Sequence, residues 1–216
     1  MSRTDYSVTQ YPDRETWLAA RHGIGASEIG SVIGHGFKTR TELWKEKSGL
    51  TKPKDLSGSD RIQFGNEAEE PLRSLFRVMH PEYELSFRPF TIFRPEGEYD
   101  FLFYTPDGEL VERKTGRRGL YESKTATCLS RMDWEKWDHQ IPTGYLCQIS
   151  QGMFCGDFDF AVLFALLLNH EGDASIRAYP IERTDAAWMI DTILLEGKKF
   201  WRDVQTGTVP PAILSL

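Results

Sequence analysis

The stretch TPDGELVERKTGRRGLYESK, residues 105–124, decides both the fold and the chemistry expected of this chain. It opens with the turn-forming Pro106-Asp107-Gly108 and closes with Glu122-Ser123-Lys124, in a segment typical of a strand. Because residues two apart in a strand share a face, the glutamate and the lysine project together while the serine points away. A hairpin through the basic segment between them brings Asp107 near that glutamate. The sequence therefore predicts two carboxylates and a lysine in one place.

Two carboxylates beside an ammonium group indicate phosphodiester hydrolysis. Clustered carboxylates raise one another's pKa unless a cation neutralises them, and hard oxygen ligands select Mg²⁺, with Mn²⁺ as a substitute. Such an ion neutralises a scissile phosphate and helps to form hydroxide, while Lys124 orients the water or stabilises developing charge. Pro-Asp-Gly is also a common turn, and Glu-x-Lys is often an exposed charge pair, so neither half indicates a site by itself.

Length and composition fit one ordinary globular unit. The chain has 216 residues, of which 40% are hydrophobic and 27% charged, and we predict a single nuclease domain over residues 1–216. The cysteines Cys128, Cys147 and Cys155 are widely spaced and form no CxxC pair. This spacing does not indicate a disulfide framework, a zinc site or an iron–sulfur cluster. A reducing, cytoplasmic setting is therefore expected.

Secretion and membrane insertion are not expected. Residues 1–5 contain no apolar signal core, and the longest apolar run, residues 160–168, is too short to span a bilayer.

The formal net charge of -6 is unusual for a protein that grips a polyanion, unless its basic residues are segregated on one surface. One group of basic residues stands close together around two glycines: Arg113, Lys114, Arg117 and Arg118. This basic turn either contacts a DNA backbone or is solvated surface.

Apolar spacing and turn residues predict an α/β fold, with helices around one central mixed β-sheet. Helices are predicted near residues 17–20, from Ser27 as N-cap to Gly34, and at 41–47, 65–79, 145–154 and 184–204. Strands are predicted at 87–93, 99–105, 111–114 and 120–125 as a meander, at 160–168 buried on both faces, and at 176–181 on an edge because of Pro180. Residues 52–60 indicate a flexible loop.

Taken in order, five motifs resemble the phage-type recombination exonucleases, the lambda exonuclease and YqaJ-like group of the PD-(D/E)XK nuclease superfamily. The resemblance covers most of the chain. The motifs are Arg21-His22-Gly23-Ile24-Gly25-Ala26-Ser27-Glu28, Gly65-Asn66-Glu67-Ala68-Glu69, Thr105-Pro106-Asp107-Gly108, Glu122-Ser123-Lys124, and Tyr145 with Gln148. The resemblance implies the restriction-endonuclease-like core of that superfamily.

The resemblance also implies roles for the central residues. Asp107, Glu122 and the carbonyl of Ser123 hold the metal, and Lys124 is catalytic. Gln148 corresponds to a family glutamine beside the metal, where its amide orients water or a phosphate; the alternative is a buried structural amide.

A helical glutamate four residues after a glycine joins the family's metal site. That spacing selects Glu69, whereas Glu70 followed by Pro71 resembles the family's Glu-Pro pair. At about 100° per residue, Glu69 flanks the inward apolar stripe of its helix and Glu70 falls on the solvent side. Helix geometry therefore favours Glu69.

Arg21 and Ser27 match the family's arginine and serine that hold the 5'-phosphate of a DNA end. A guanidinium fork, a hydroxyl and free backbone N–H groups at a helix start make a compact anion pocket. The alternative is that Ser27 only caps its helix and Arg21 is solvated.

The activity implied by the resemblance is metal-dependent 5'-to-3' digestion of double-stranded DNA ends, leaving 3' single-stranded tails for recombination. The implied partners are a single-strand annealing protein and two further copies of the chain in a trimeric ring, in a bacterial cell that carries a phage or prophage. Two alternatives stay open. One is another nuclease of the superfamily, of the restriction or CRISPR-adaptation kind, and the other is a non-catalytic module that binds DNA ends.

Overall fold

The structure is a computed structural model that describes residues 4–55, 58–211 and 213. The helices are α1 (Arg14–Ala20), α2 (Ile29–Val32), α3 (Arg40–Lys47), α4 (Asp60–Met79), α5 (Arg131–Glu135), α6 (Thr143–Cys155) and α7 (Ala187–Thr206). The strands are β1 (Tyr6–Gln10), β2 (Ile24–Gly25), β3 (Tyr83–Ser86), β4 (Thr91–Pro95), β5 (Leu102–Phe103), β6 (Gly108–Glu112), β7 (Arg118–Thr127), β8 (Phe160–Leu168) and β9 (Ala174–Glu182). A 3-10 helix spans Gly97–Tyr99.

One mixed sheet organises these elements, with the strand order β3-β6-β7-β8-β9. Within it β7 and β8 run parallel, and the other neighbouring pairs are antiparallel. The apolar strand β8 is buried on both faces because helices cover both sides of the sheet. The predicted α/β fold with a central mixed sheet and flanking helices is confirmed, as is the edge position of the strand that contains Pro180.

Alternation along β7 divides the core into two clusters. Leu120 packs with residues of α2, α6 and α7 on one face, whereas Tyr121 packs against Leu72 and Phe76 of α4 on the other. Fully burying side chains of this size stabilises the fold by about 1.5–3 kcal/mol each. The register of β7 is thereby fixed, because a slip of one residue would exchange the two faces.

Two small ladders hold the N-terminal part of the chain against the sheet. β1 pairs antiparallel with β4, and β2 pairs parallel with β5. The side-chain amide of Gln151 on α6 donates to the carbonyls of Ile24 (2.9 Å) and Phe103 (3.0 Å), so it joins both strands of the second ladder. The guanidinium of Arg94 donates to the carbonyls of Ala20 and His22, at 3.3 and 3.2 Å. Together these bonds fix the segment that contains Arg21.

Several predicted elements were wrong in detail. The segments predicted at 87–93 and 99–105 do not continue a meander, since β4 and β5 pair with the N-terminal strands. Ser27 is not an N-cap: it lies in the turn before α2, whose N-cap is Glu28. Helix α4 begins at Asp60, at the end of the predicted 52–60 loop, of which residues 56 and 57 lie outside the described residues. The short helix α5 was not predicted.

The cysteines Cys128, Cys147 and Cys155 are buried and free. Burial raises the pKa of Cys147 to about 12 and also raises the pKa of Cys155. Among the described residues no helix is both long and apolar enough to cross a membrane.

Gly23→Ala is expected to lower the free energy of unfolding by about 3 kcal/mol, since a φ of +98° costs an alanine strain and its Cβ would lie 2.1 Å from the carbonyl oxygen of Phe101. Gly49→Ala is the matched control, because Gly49 has a φ of +73° with no described atom within 4 Å of an added Cβ. The control should lose only about 1 kcal/mol. Urea unfolding measures both, and equal losses would show that the close approach to Phe101 has no effect.

Candidate active site

The hairpin of β6 and β7 places Asp107 beside the Glu-x-Lys segment. Gly108, the first residue of β6, pairs with Tyr121 of β7, so Asp107 lies just beyond that pair. Its carboxylate oxygen Oδ2 accepts hydrogen bonds from the backbone N–H and the hydroxyl of Ser123, both at 2.9 Å. The side chain of Asp107 is therefore fixed by the middle residue of the motif.

Glu122 is the most enclosed carboxylate of the site, with 1% of its surface exposed. One oxygen, Oε1, accepts from the ammonium of Lys124 at 2.6 Å and from the side-chain amide of Gln148 on α6. The other, Oε2, accepts from the hydroxyl of Tyr104 at 2.8 Å. Both oxygens are thus held by donors from different parts of the chain, as a buried carboxylate requires.

Burial and like charge raise the pKa of Glu122 to about 7, with Asp107 as the nearby negative charge and Lys124 acting in the opposite direction. Burial alone would lower the pKa of Lys124, but the carboxylates of Glu122 and Asp107 outweigh it and raise that pKa. Burial, followed by the charge of Glu122, raises the pKa of Tyr104, which stays a neutral donor. The lysine is consequently a permanent cation in this cluster.

Glu69 and Asp107 line one cleft of about 260 Å³. Burial, followed by the charge of Asp107, raises the pKa of Glu69. The side chain of Glu69 is 38% exposed, whereas that of Glu70 is 63% exposed and pairs with Arg73 and Arg77. Helix α4 thus turns Glu69 toward the cleft and Glu70 toward solvent, as helix geometry predicted. The other lining residues are Trp17, Phe87, Arg88, Pro89, Phe90, Thr91, Thr105 and Pro106.

The donor atoms of this site suit a hard divalent cation. Asp107, Glu122 and Glu69 offer carboxylate oxygens, and burial, followed by the charge of Asp107, raises the pKa of both glutamates. Among the described residues, however, no three acidic, histidine or cysteine side chains lie close enough together to form a complete ligand set. Backbone oxygen or water would have to complete the shell, which is common for Mg²⁺. The oxygen donors of these three residues are therefore chemically suited to Mg²⁺.

Arg21 adjoins the cleft through Trp17, over whose ring its guanidinium carbon lies at 4.5 Å. Burial lowers the pKa of Arg21, and the carboxylate of Glu28 partly offsets this. Glu28 itself accepts from the N–H of Gly25 (2.8 Å) and pairs with Lys47 (2.7 Å). Ser27 is exposed in the turn before α2. Arg21 is therefore partly buried against an aromatic ring rather than freely solvated.

The basic turn lies at the opposite end of the β6–β7 hairpin from Asp107, and the structure does not bring it to the carboxylates. Arg117 pairs with Glu182, and Lys114 is exposed. The two remaining arginines also have acidic partners: Arg113 pairs with Glu84 and Arg118 with Glu109. Much of the turn's positive charge is thus compensated within the chain.

Sequence reasoning missed three kinds of residue near the site. The hydroxyl of Tyr104 donates to Glu122, which lies 18 residues further along the chain. No local sequence pattern predicts such a contact. The aromatic residues that line the cleft, Trp17, Phe87 and Phe90, come from separate segments. Arg73 could have been predicted from the sequence, because it stands four residues after Glu69 and opposite charges at this spacing pair on a helix.

The fold is that of solved exonucleases. The structure matches an alkaline exonuclease, LHK-Exo, from Laribacter hongkongensis with a TM-score of 0.68 and 20% identity, over 90% of this chain and 94% of that chain. A structure of LHK-Exo in complex with dAMP gives the same values. A phage-related exonuclease from Haemophilus somnus 129PT matches with a TM-score of 0.57 and 14% identity, over 89% and 99% of the two chains. At these identities the likeness establishes a common fold.

The sequence itself identifies the family. Residues 16–159, well over half of the chain, match the YqaJ-like viral recombinase domain. The chain belongs to this family, which confirms the resemblance found from the order of its motifs. The matched range includes Asp107, Glu122 and Lys124. No curated protein matches the sequence.

Tyr104→Phe is expected to lower the free energy of unfolding by about 1.5–3 kcal/mol at pH 9, because ionised Glu122 loses a buried hydrogen bond. Tyr121→Phe is the matched control, since the hydroxyl of Tyr121 is buried without a hydrogen-bond partner among the described residues. That variant should be as stable as the parent or slightly more stable. Urea unfolding at pH 9 measures the free energy of unfolding of both variants. A Tyr104→Phe variant as stable as the parent would contradict the hydrogen bond to Glu122.

Proposed function

We propose that this chain is a metal-dependent exonuclease that digests double-stranded DNA ends in the 5'-to-3' direction and leaves 3' single-stranded tails. The observation that carries the proposal is the buried pair of Glu122 and Lys124, hydrogen-bonded next to Asp107, in a chain of the YqaJ-like viral recombinase family. The fold shared with proteins described as exonucleases supports hydrolysis of nucleic acid. No observation favours one of the alternative activities.

Lys124 is the residue proposed to act on the attacking water. Its raised pKa keeps it protonated, so it orients water and stabilises developing negative charge rather than removing a proton. Gln148 shares the oxygen Oε1 of Glu122 with Lys124, which supports the proposal that its amide orients the same water or a phosphate oxygen. Catalysis of this kind depends on positioning and charge.

The cofactor is proposed to be Mg²⁺, with Mn²⁺ as a substitute. Asp107, Glu122, Glu69 and the carbonyl of Ser123 would hold it, because these are hard oxygen donors. When bound, the ion supplies charge neutralisation at the phosphate and a more acidic water. The carboxylates then have a further positive charge besides those of Lys124 and Arg73.

Recognition of the DNA end is proposed to rest on Arg21 and Ser27. The guanidinium of Arg21 stacks on Trp17 at the cleft, and a stacked, partly buried arginine is well suited to grip a phosphate. Ser27 offers an exposed hydroxyl just ahead of α2. A terminal 5'-phosphate held there would start digestion from the 5' end.

Wider assembly is part of the same proposal. The net charge of -6 disfavours tight binding of DNA by one exposed face, and a trimeric ring with its basic side chains turned inward would offset this. The basic turn, with Arg113, Lys114, Arg117 and Arg118, is proposed to contact the DNA backbone. Residues 1–216 are proposed to act as a single nuclease domain in the bacterial cytoplasm, beside a single-strand annealing protein.

Lys124→Ala is expected to lower the rate of DNA digestion by about 1000-fold, because one positioned catalytic group typically contributes a factor of this order. Lys199→Ala is the control, since Lys199 pairs with Glu196 on α7 and does not line the cleft. The substrate is linear duplex DNA labelled at either strand end, with Mg²⁺ or EDTA, beside a closed circle. Magnesium-dependent release from 5' ends that spares the circle supports the proposal.

Other outcomes of this experiment point elsewhere. Cutting of the closed circle indicates an endonuclease, and release from 3' ends contradicts the direction. Binding of DNA ends without any hydrolysis indicates a non-catalytic module. Full activity of Lys124→Ala would remove this lysine from the catalytic residues.

Arg21→Ala is expected to slow digestion of 5'-phosphorylated ends about 100-fold while changing 5'-hydroxyl ends much less, because a charge-assisted bidentate contact is lost. Arg131→Ala is the control, as Arg131 is exposed and pairs with Glu135 on α5. The ratio of the two rates on matched substrates measures the effect. Equal slowing on both kinds of end would argue against a phosphate contact at Arg21.

A further inference from the structure

Arg73 is buried directly beneath the cleft, with 5% of its surface exposed. It lies on α4, one turn after Glu69. Arginine is rarely this buried unless its charge and its N–H groups are paired. Its partners therefore indicate what the residue is for.

Those partners belong to the cleft. One terminal nitrogen, Nη1, donates to the carbonyl of Asp107 at 3.3 Å and lies 3.6 Å from a carboxylate oxygen of Glu69. The guanidinium carbon lies 4.0 Å from the ring centre of Phe87. Nε donates to Glu70 at 3.0 Å on the solvent side. A single planar group thus contacts three residues that line the cleft.

These contacts hold Asp107 by its side chain and by its backbone. Its carboxylate is held by Ser123 and its carbonyl by Arg73, so neither can shift without breaking a hydrogen bond. The consequence for Glu69 is electrostatic, because Arg73 offsets the repulsion between two carboxylates that face the same cleft.

We infer that Arg73 is a positioning residue of the nuclease, whose guanidinium holds Asp107 and Glu69 in the geometry that hydrolysis requires. This inference rests on the proposed function. Arg73 is buried and acts through the backbone carbonyl of Asp107 and the carboxylate of Glu69. Its loss should therefore lower kcat and leave KM for DNA nearly unchanged.

The test compares variants on one helix. Arg73→Met removes the charge at similar volume, and Arg73→Lys keeps a cation but loses the fork that reaches two partners. Arg77→Met is the matched control: Arg77 stands one turn further along α4, donates to the carbonyl of Leu85 (3.4 Å) and pairs with Glu70 (3.7 Å), but does not line the cleft. Steady-state digestion of linear duplex DNA, with thermal unfolding of each variant, gives kcat, KM and the folded fraction.

The expected result is a loss of about 100-fold in kcat for Arg73→Met, with KM within about twofold of the parent and Arg77→Met unchanged. Arg73→Lys should retain about a tenth of the parent kcat. If Arg73→Met does not fold, the kcat of Arg73→Lys decides alone. Parental kcat in the folded Arg73 variants, or an equal loss in Arg77→Met, overturns the inference. An inactive parent overturns the proposed function itself, which is a different failure.

Discussion

The burial of the Glu122 carboxylate is the constraint on which the rest of the structure depends. A carboxylate removed from water must have donors for both oxygens, and here they come from Tyr104 after β5, Lys124 on β7 and Gln148 on α6. These three parts of the chain meet only if the sheet, the helix that covers it and the connection after β5 are all assembled. Folding of the core and formation of the site are therefore one event.

Helix α6 links this carboxylate to the N-terminal segment. Gln148 bonds to Glu122, and Gln151, three residues on, bonds to the carbonyls of Ile24 and Phe103. Because a helix is stiff over one turn, the two amides keep a constant separation. The segment that carries Arg21 is thereby held at a fixed position relative to the carboxylate of Glu122, as the proposed digestion from a bound DNA end would require.

Local periodicity predicted much of the site. The shared face of Glu122 and Lys124 follows from the two-residue repeat of a strand, and the inward position of Glu69 follows from the helical repeat. The failures concern contacts that are distant in sequence or depend on exact chain direction. The pairing of β4 with β1 joins segments more than 80 residues apart. The turn before α2 is one residue longer than expected, so Glu28 rather than Ser27 is the N-cap of that helix. No spacing rule contains such information.

The edges of the main sheet have a consequence for how copies of this chain can meet. One edge is β3, only four residues long, and the other is β9, in which Pro180 lacks a backbone N–H group. A short edge and a proline both discourage a neighbouring chain from adding a strand. Strand addition at either edge of the main sheet is accordingly disfavoured, so this sheet offers little template for extended cross-strand aggregates.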